Sequence, residues 1–242
     1  APSMIIRTLS ILACAQLCIH ADEAAVLNKL RGTVDKPQTV RVKRDRETGN
    51  IVELALNAPD LQNDDLRLFN QLPHLKRLTI SHAGYAKGKK TGVDFSGVIH
   101  LRKHPSLDYF SAGGAVGKEY LAALAQLINI TELYIQTTHS VDADWKPIGT
   151  MTHLRYLGIR VRNDRMSNLT EGMFVHLKPL KNLDHFLLSE MTFKDPQPLI
   201  DFVVTNRKLK KLTLRRCVNF PRDARDAIRR SHPDLQIEIR DR

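Results

Sequence analysis

Apolar residues recur along this chain in one frame, L-x-x-L-x-L, with aliphatic or aromatic substitutes. It reads IVELAL from Ile51, LKRLTI from Leu75, LDYFSA from Leu107, ITELYI from Ile130, LRYLGI from Leu154, LDHFLL from Leu183 and LKKLTL from Leu209. A degenerate eighth copy, HPDLQIEI, lies near the end, and successive copies start about 23 to 32 residues apart, the spacing of a stacked repeat. Alternate residues of a strand share one side. The fourth and sixth positions of each frame therefore point inward together, and the first folds back into the same interior. Burying a Leu, Val, Ile or Phe side chain contributes roughly 1.5–3 kcal/mol, but one strand cannot cover its own apolar side. The copies must stack as a parallel sheet before that gain is realised.

Between the strands the apolar spacing is helical. DDLRLFNQL places Leu66, Phe69 and Leu72 at three-residue steps behind the capping candidates Asn63 and Asp64, and YLAALAQL does the same with Leu121, Leu124 and Leu127. DPQPLIDFVV predicts a helix after Asp195 with Pro196 in its first turn, and PRDARDAIRR predicts the last one. Ahead of the first strand, DEAAVLNKL offers Ala25, Val26 and Leu30 for a short amphipathic helix, and TVRVKRDRETGNIVELAL reads as a hairpin turning near Gly49 and Asn50. The expected organisation is a leader over 1–21, an N-terminal cap over 22–57 running into the first strand, and a repeat array over 58–242 that the degenerate copy closes.

These repeats, with leads such as LPHL, HPSL and HPDL, resemble those of leucine-rich repeat proteins over roughly residues 50 to 240. They are similar to the cysteine-containing and ribonuclease-inhibitor-like classes and to secreted members from planctomycete-type bacteria. The resemblance implies an α/β solenoid, with a curved parallel sheet on the concave side and helices on the convex side. One feature departs from the family. Its members often carry Asn, Cys or Thr three residues past the last leucine, where the side chain satisfies backbone groups in the turn. Here those positions are Pro59, Ala83, Ala115, Thr138, Arg162, Met191 and Cys217, of which Thr138 and Cys217 match.

On a solenoid the concave sheet presents a broad array of side chains from a rigid support. The outward positions of the frame are the third, fifth and seventh. The third column reads Glu53, Arg77, Tyr109, Glu132, Tyr156, His185 and Lys211; Tyr134 falls in the fifth, between Ser111 and Gly158, and Arg160 and Arg215 fall in the seventh. Tyr109, Tyr134 and Tyr156 come from successive strands, which predicts an aromatic patch with Arg160 and His185 beside it. Tyr and Arg combine large contact area with a polar tip and serve as binding anchors. The candidate binding surface is thus Tyr109, Tyr134, Tyr156, Arg160, His185, Lys211 and Arg215.

Charge changes the picture of the partner. The formal net charge of +11 would attract nucleic acid, anionic headgroups or acidic polysaccharide. A polyanion groove needs a continuous basic track, whereas Glu53 and Glu132 alternate with Arg77 and Lys211, and Asp108 and Asp184 flank the strands. Such mixing suits a protein surface. A protein is therefore the expected partner, acidic polysaccharide or another polyanion the alternative, and nucleic acid ranks behind both. The basic stretch RKLKKLTLRRC is first of all a repeat strand.

From Met4 the chain gives Arg7, the apolar run TLSILACAQLCI, and Ala21 with Ile19 two residues before it, a signal-peptide pattern. This predicts a secreted, periplasmic or envelope-associated protein. ILAC at 11–14 also resembles a lipobox, which would attach a lipid, and with it a membrane, through Cys14. Cleavage, lipidation and retention all stay open. Cys14 and Cys18 lie in the leader, leaving Cys217 alone and unable to form an internal disulfide. The identity of the partner and the oligomeric state are not legible.

Catalytic signatures are missing from the sequence. The ten histidines include no H-E-x-x-H pair and no Cys/His cluster at ligand spacing, and G-x-S-x-G does not occur. GYAKGKKTG lacks the phosphate-cradling spacing G-x-x-x-x-G-K-[ST], so HAGYAKGKKTGVDFSG reads as an exposed loop. Lone His153 and His176 read as surface or packing residues. No catalytic residue, cofactor or metal is assigned, and a hydrolase remains the weakest alternative.

Overall fold

The computed structural model describes residues 23–34, 39–58, 60–83, 85–86, 89–90, 96–114, 117–137, 140–161 and 168–240. The leader reading, including Cys14 and Cys18, lies outside them, as do Pro59, Ala115, Thr138 and Arg162. The strands are β1 (Arg41–Arg44), β2 (Ile51–Asn57), β3 (Arg77–Ala83), β4 (Tyr85–Ala86), β5 (Lys89–Lys90), β6 (Tyr109–Gly114), β7 (Glu132–Thr137), β8 (Tyr156–Val161), β9 (His185–Ser189), β10 (Lys211–Arg215) and β11 (Gln236–Arg240). β1, β2, β3 and β6 to β11 form one sheet in chain order, parallel throughout except for the antiparallel pair β1–β2. This is a leucine-rich repeat solenoid. Every repeat frame forms a strand, and in the seven regular ones the fourth and sixth positions sink together: Leu133 with Ile135, Leu157 with Ile159 and Leu212 with Leu214 are all fully buried, whereas in the closing strand Ile237 is half-buried and Ile239 exposed.

The registers match the sequence columns. Third positions pair in order, Glu53 with Arg77, Arg77 with Tyr109, Tyr109 with Glu132, Glu132 with Tyr156, Tyr156 with His185, and His185 with Lys211. In the last copy Lys211 pairs with Gln236, so this frame is one residue shorter ahead of its strand. Leu235 nonetheless repeats the bond of Leu209: their amides donate to the carbonyls of His232 and Asn206 at 3.1 and 3.0 Å.

The convex side mixes helix types. A 3-10 helix spans Asn63–Gln71 and another Ser96–Lys103; shorter ones cover Asp142–Trp145 and Ile148–Thr150. α-Helices are α1 (23–31), α2 (Lys118–Leu124), α3 (Met173–Leu177), α4 (Gln197–Thr205) and α5 (Arg222–Ser231). Three-residue steps do not by themselves separate the two types, since Leu121, Leu124 and Leu127 share them with Leu66, Phe69 and Leu72. In the first 3-10 helix, 3.0 residues per turn puts Leu66 and Phe69 on one buried face. In α2 the buried set is Tyr120, Leu121, Ala123 and Leu124, an α-helical stripe rich in strong helix formers. The caps also differ from expectation. The first 3-10 helix is capped one residue earlier, with the Asp65 carboxylate accepting from the Gln62 amide at 2.8 Å. α4 begins at Gln197, whose amide the Asp195 side chain holds at 2.9 Å, with Pro196 just outside.

Packing behind the sheet is continuous. Phe174, Phe186 and Phe202 form an aromatic triangle with centroid distances of 6.0, 5.7 and 5.0 Å between α3, β9 and α4. Val26 and Leu30 of α1 are buried as expected, but Ala25 is exposed and Leu27 takes the inward place. Glu23 locks α1 to the hairpin: it is buried, receives the Ile51 amide at 2.9 Å, and pairs with Arg44 at 2.6 Å. Gly49, at φ 74°, makes the hairpin turn. HAGYAKGKKTGVDFSG contains the small antiparallel pair β4–β5 rather than loop alone. Among the described residues no helix is long and apolar enough to cross a membrane.

Candidate functional site

Because the third column runs straight across the sheet, neighbouring side chains there lie one strand apart, roughly 4.8 Å. Arg77 uses that spacing to reach over Tyr109. Its guanidinium sits 3.9 Å from the ring centroid and its tip pairs with Glu132, two strands away, at 2.8 Å. Tyr156 comes next, packed edge-on against His185 with centroids 5.1 Å apart. His185 in turn hydrogen-bonds the Thr213 hydroxyl at 3.0 Å through Nε2.

Tyr134 lies in the fifth column, where the next strand carries Gly158. The missing side chain makes the dent that the tyrosines fill. A Cβ on Gly158 would stand 2.4 Å from Cδ2 of Tyr134 and 2.7 Å from the Tyr156 hydroxyl. Burial pushes the phenol of Tyr134 above its ordinary pKa, and that of Tyr156 much further, where Tyr109 and Tyr134 nearby add to the effect. Both stay protonated and neutral across the physiological range. Burial, helped by the Lys211 ammonium, pushes the His185 imidazole below its ordinary value.

Along the N-terminal edge of these strands runs an open groove of about 560 Å³. Tyr109, Tyr156 and His185 line it from the sheet; Asp108, Thr131, Arg155 and Asp184, all second positions of their frames, line its rim. Arg155 pairs with Asp184 at 2.6 Å, and Lys210 joins that carboxylate at 3.0 Å. Hydrogen bonds from Lys210 and Arg155 hold the Asp184 carboxyl below the usual carboxylate range. Asp108 accepts a short hydrogen bond from the Thr131 hydroxyl.

The opposite edge holds a second network. Arg160 pairs with Glu190 at 2.8 Å and approaches the Gln136 amide oxygen at 3.4 Å, and Arg216 reaches the same Glu190 at 3.5 Å. Burial opposes ionisation of Glu190, but the bonds from Arg160 and Arg216 outweigh it and leave its pKa lowered. Glu190 and Arg216 occupy equivalent places after β9 and β10, with φ of 62° and 51°. Cys217 follows; its thiol donates to the Leu188 carbonyl at 3.5 Å, and burial pushes its pKa up. It is half-buried rather than fully enclosed.

Of the seven candidate residues, the structure brings Tyr109, Tyr156 and His185 into one groove and sets Tyr134 against Tyr156. Arg160 stands beside Tyr134 but is bound to Glu190. Lys211 is neutralised by Glu238 at 3.1 Å, and Arg215 is exposed at the C-terminal end of β10. Arg77, Glu132 and Glu190 were not among the candidates. The second positions form a column of their own, Asp108, Thr131, Arg155, Asp184 and Lys210, which the repeat frame also carries in the sequence. Among the described residues no three His, Cys, Asp or Glu side chains converge to hold a metal.

No family model matches the chain, and no curated protein matches it. Solved structures with a similar outline include internalin C2 (inlC2) from Listeria monocytogenes, at TM-score 0.44 and 16% identity, covering 89% of this chain and 92% of that one. Internalin inlF from the same organism gives 0.38 and 13%, covering 76% of this chain and 57% of that chain. A crystal structure of PEPR1-AtPEP1 gives 0.34 and 12%, covering 89% and 41%.

Proposed function

We propose that this chain is a non-catalytic binding module whose concave sheet engages a protein partner, acting at the cell envelope or outside the cell. The observation that carries the reading is the tyrosine cluster. Tyr109, Tyr134 and Tyr156 stand half-buried on three successive parallel strands, fixed by Gly158, Arg77 and His185. Rings held in place by the sheet lose little conformational freedom on binding, which is what makes an aromatic anchor effective. The surrounding charges support a protein over a polyanion. Arg77, Arg155, Arg160 and Lys211 each bind a carboxylate of the same surface, so they do not form a free basic track. The extracellular or envelope setting rests on the leader pattern alone.

The test is partner capture from the native source by the wild type and by Tyr134→Ala and Tyr156→Ala. Capture should fall at least tenfold in both variants, with thermal unfolding little changed. Undiminished capture would sink the reading. Salt separates the alternative: a polyanion bound through many contacts is released by orders of magnitude between about 50 and 200 mM salt.

A further inference from the structure

Ion pairs satisfy two of the three carboxylates in the groove. Three carboxylates, Asp108, Glu132 and Asp184, face two guanidiniums, Arg77 and Arg155. Arg77 is bound to Glu132 and Arg155 to Asp184, which Lys210 also reaches. Asp108 is left over: it is exposed and accepts the hydroxyl of Thr131, a neutral donor. Three cations thus serve two of the carboxylates, and among the described residues Asp108 makes no ion pair, although the chain has a net charge of +11.

The same column shows what such a setting binds. The guanidinium of Arg77 lies flat over one tyrosine ring while pairing with the carboxylate beside it, so ring and carboxylate together hold an arginine head. Tyr156 is the next tyrosine of the column, on the other side of Glu132. Among the described residues no cation lies over its ring. A guanidinium matches this geometry better than an ammonium, because its plane stacks on a ring while its edge donates to a carboxylate.

We infer that the partner inserts an arginine side chain into this groove, stacked on Tyr156 and hydrogen-bonded to Asp108. The inference rests on the concave-face reading and narrows it: the protein bound there presents an exposed arginine, with Arg77 on Tyr109 as the intramolecular counterpart. The carboxylate supplies charge selectivity and the ring supplies the stacking surface.

The full chain, with its tyrosine rings isotopically labelled, is titrated with N-acetylargininamide and followed by NMR. The uncharged isostere N-acetylcitrullinamide is the control. The Tyr156 ring signals should shift saturably with the arginine compound, and at least threefold less with the citrulline one. Asp108→Asn keeps the acceptor for Thr131 and removes the charge; it should weaken the arginine response at least threefold without altering thermal unfolding. Any one of three results overturns the inference: no saturable shift at Tyr156, an equal shift with the citrulline compound, or an undiminished response in Asp108→Asn. If Tyr134→Ala and Tyr156→Ala abolish partner capture while the arginine compound leaves Tyr156 unmoved, this inference falls and the concave-face reading stands. If those variants capture undiminished, the concave-face reading itself falls.

Discussion

The ring of Tyr134 occupies the space that a side chain at residue 158 would fill: a Cβ on Gly158 would come within 2.4 Å of its Cδ2. The glycine is thus a surface device rather than a turn, and it sets the posture of two tyrosines at once. Gly158→Ala should displace both rings outward. The atom met is Cδ2 of a ring the sheet holds in place, not the end of a flexible chain, so the displacement should cost about 1–3 kcal/mol of unfolding free energy in denaturant titration, and partner capture should fall at least tenfold. Undiminished capture by the folded variant would show that Gly158 serves packing alone.

His104 is buried with both ring nitrogens engaged. Nε2 lies 3.2 and 3.1 Å from the carbonyls of Phe69 and Leu72, and Nδ1 receives the Leu107 amide at 3.0 Å. An acceptor at Nδ1 and a donor at Nε2 describe a neutral ring, and burial lowers its pKa although the two carbonyls pull the other way. His104→Ala should cost about 2–4 kcal/mol, since it strands buried polar groups on two successive repeats.

The same group sets a pH dependence. In the unfolded chain His104 titrates near 6.5, while in the fold it binds its proton only at lower pH. Between those values the unfolded state holds more protons, so stability rises with pH and falls on acidification below about 6.5. His185 has the same sign. Denaturant midpoints between pH 7.5 and 5 should fall in the wild type, and fall less steeply in His104→Gln.

Glu190 holds two guanidiniums, Arg160 and Arg216, at the C-terminal edge of the strands. Glu190→Gln keeps the side-chain shape and removes the charge. It should leave the protein folded and delay its elution from a heparin column in salt. Unchanged elution would mean that these arginines are not accessible to a polyanion even when released.

Cys217 donates to a backbone carbonyl and its thiol pKa is raised by burial. Nucleophilic attack requires the thiolate. The native protein should therefore react with a thiol reagent at neutral pH at least tenfold more slowly than the urea-unfolded chain. Equal rates would contradict the placement of this residue.

The solenoid was legible because one frame carries two messages: alternation gives the strand, and repetition gives the sheet and its register. Tyr109, Tyr134 and Tyr156 could be placed on one face for the same reason. What reaches between repeats was hidden. Arg77 crosses one strand to find Glu132 on the next, and Arg160 of β8 meets Glu190 at the turn after β9; no local spacing encodes the length and direction of such a reach. Gly158 was visible as a residue but not as a space, because a vacancy has meaning only once its neighbours are in place. The three-residue steps at Leu66, Phe69 and Leu72 do not encode the helix type, because YLAALAQL carries the same steps and forms α2; the added burial of Tyr120 and Ala123 distinguishes the α-helix.

Hydroxyl-radical footprinting of the chain with and without its captured partner reports which face the partner covers. Tyr109, Tyr134 and Tyr156 should be protected, with no change at Ile128, which is 70% exposed between α2 and β7. Protection at Ile128 or along α5, with the three tyrosines as reactive as in the free protein, would contradict binding at the concave sheet.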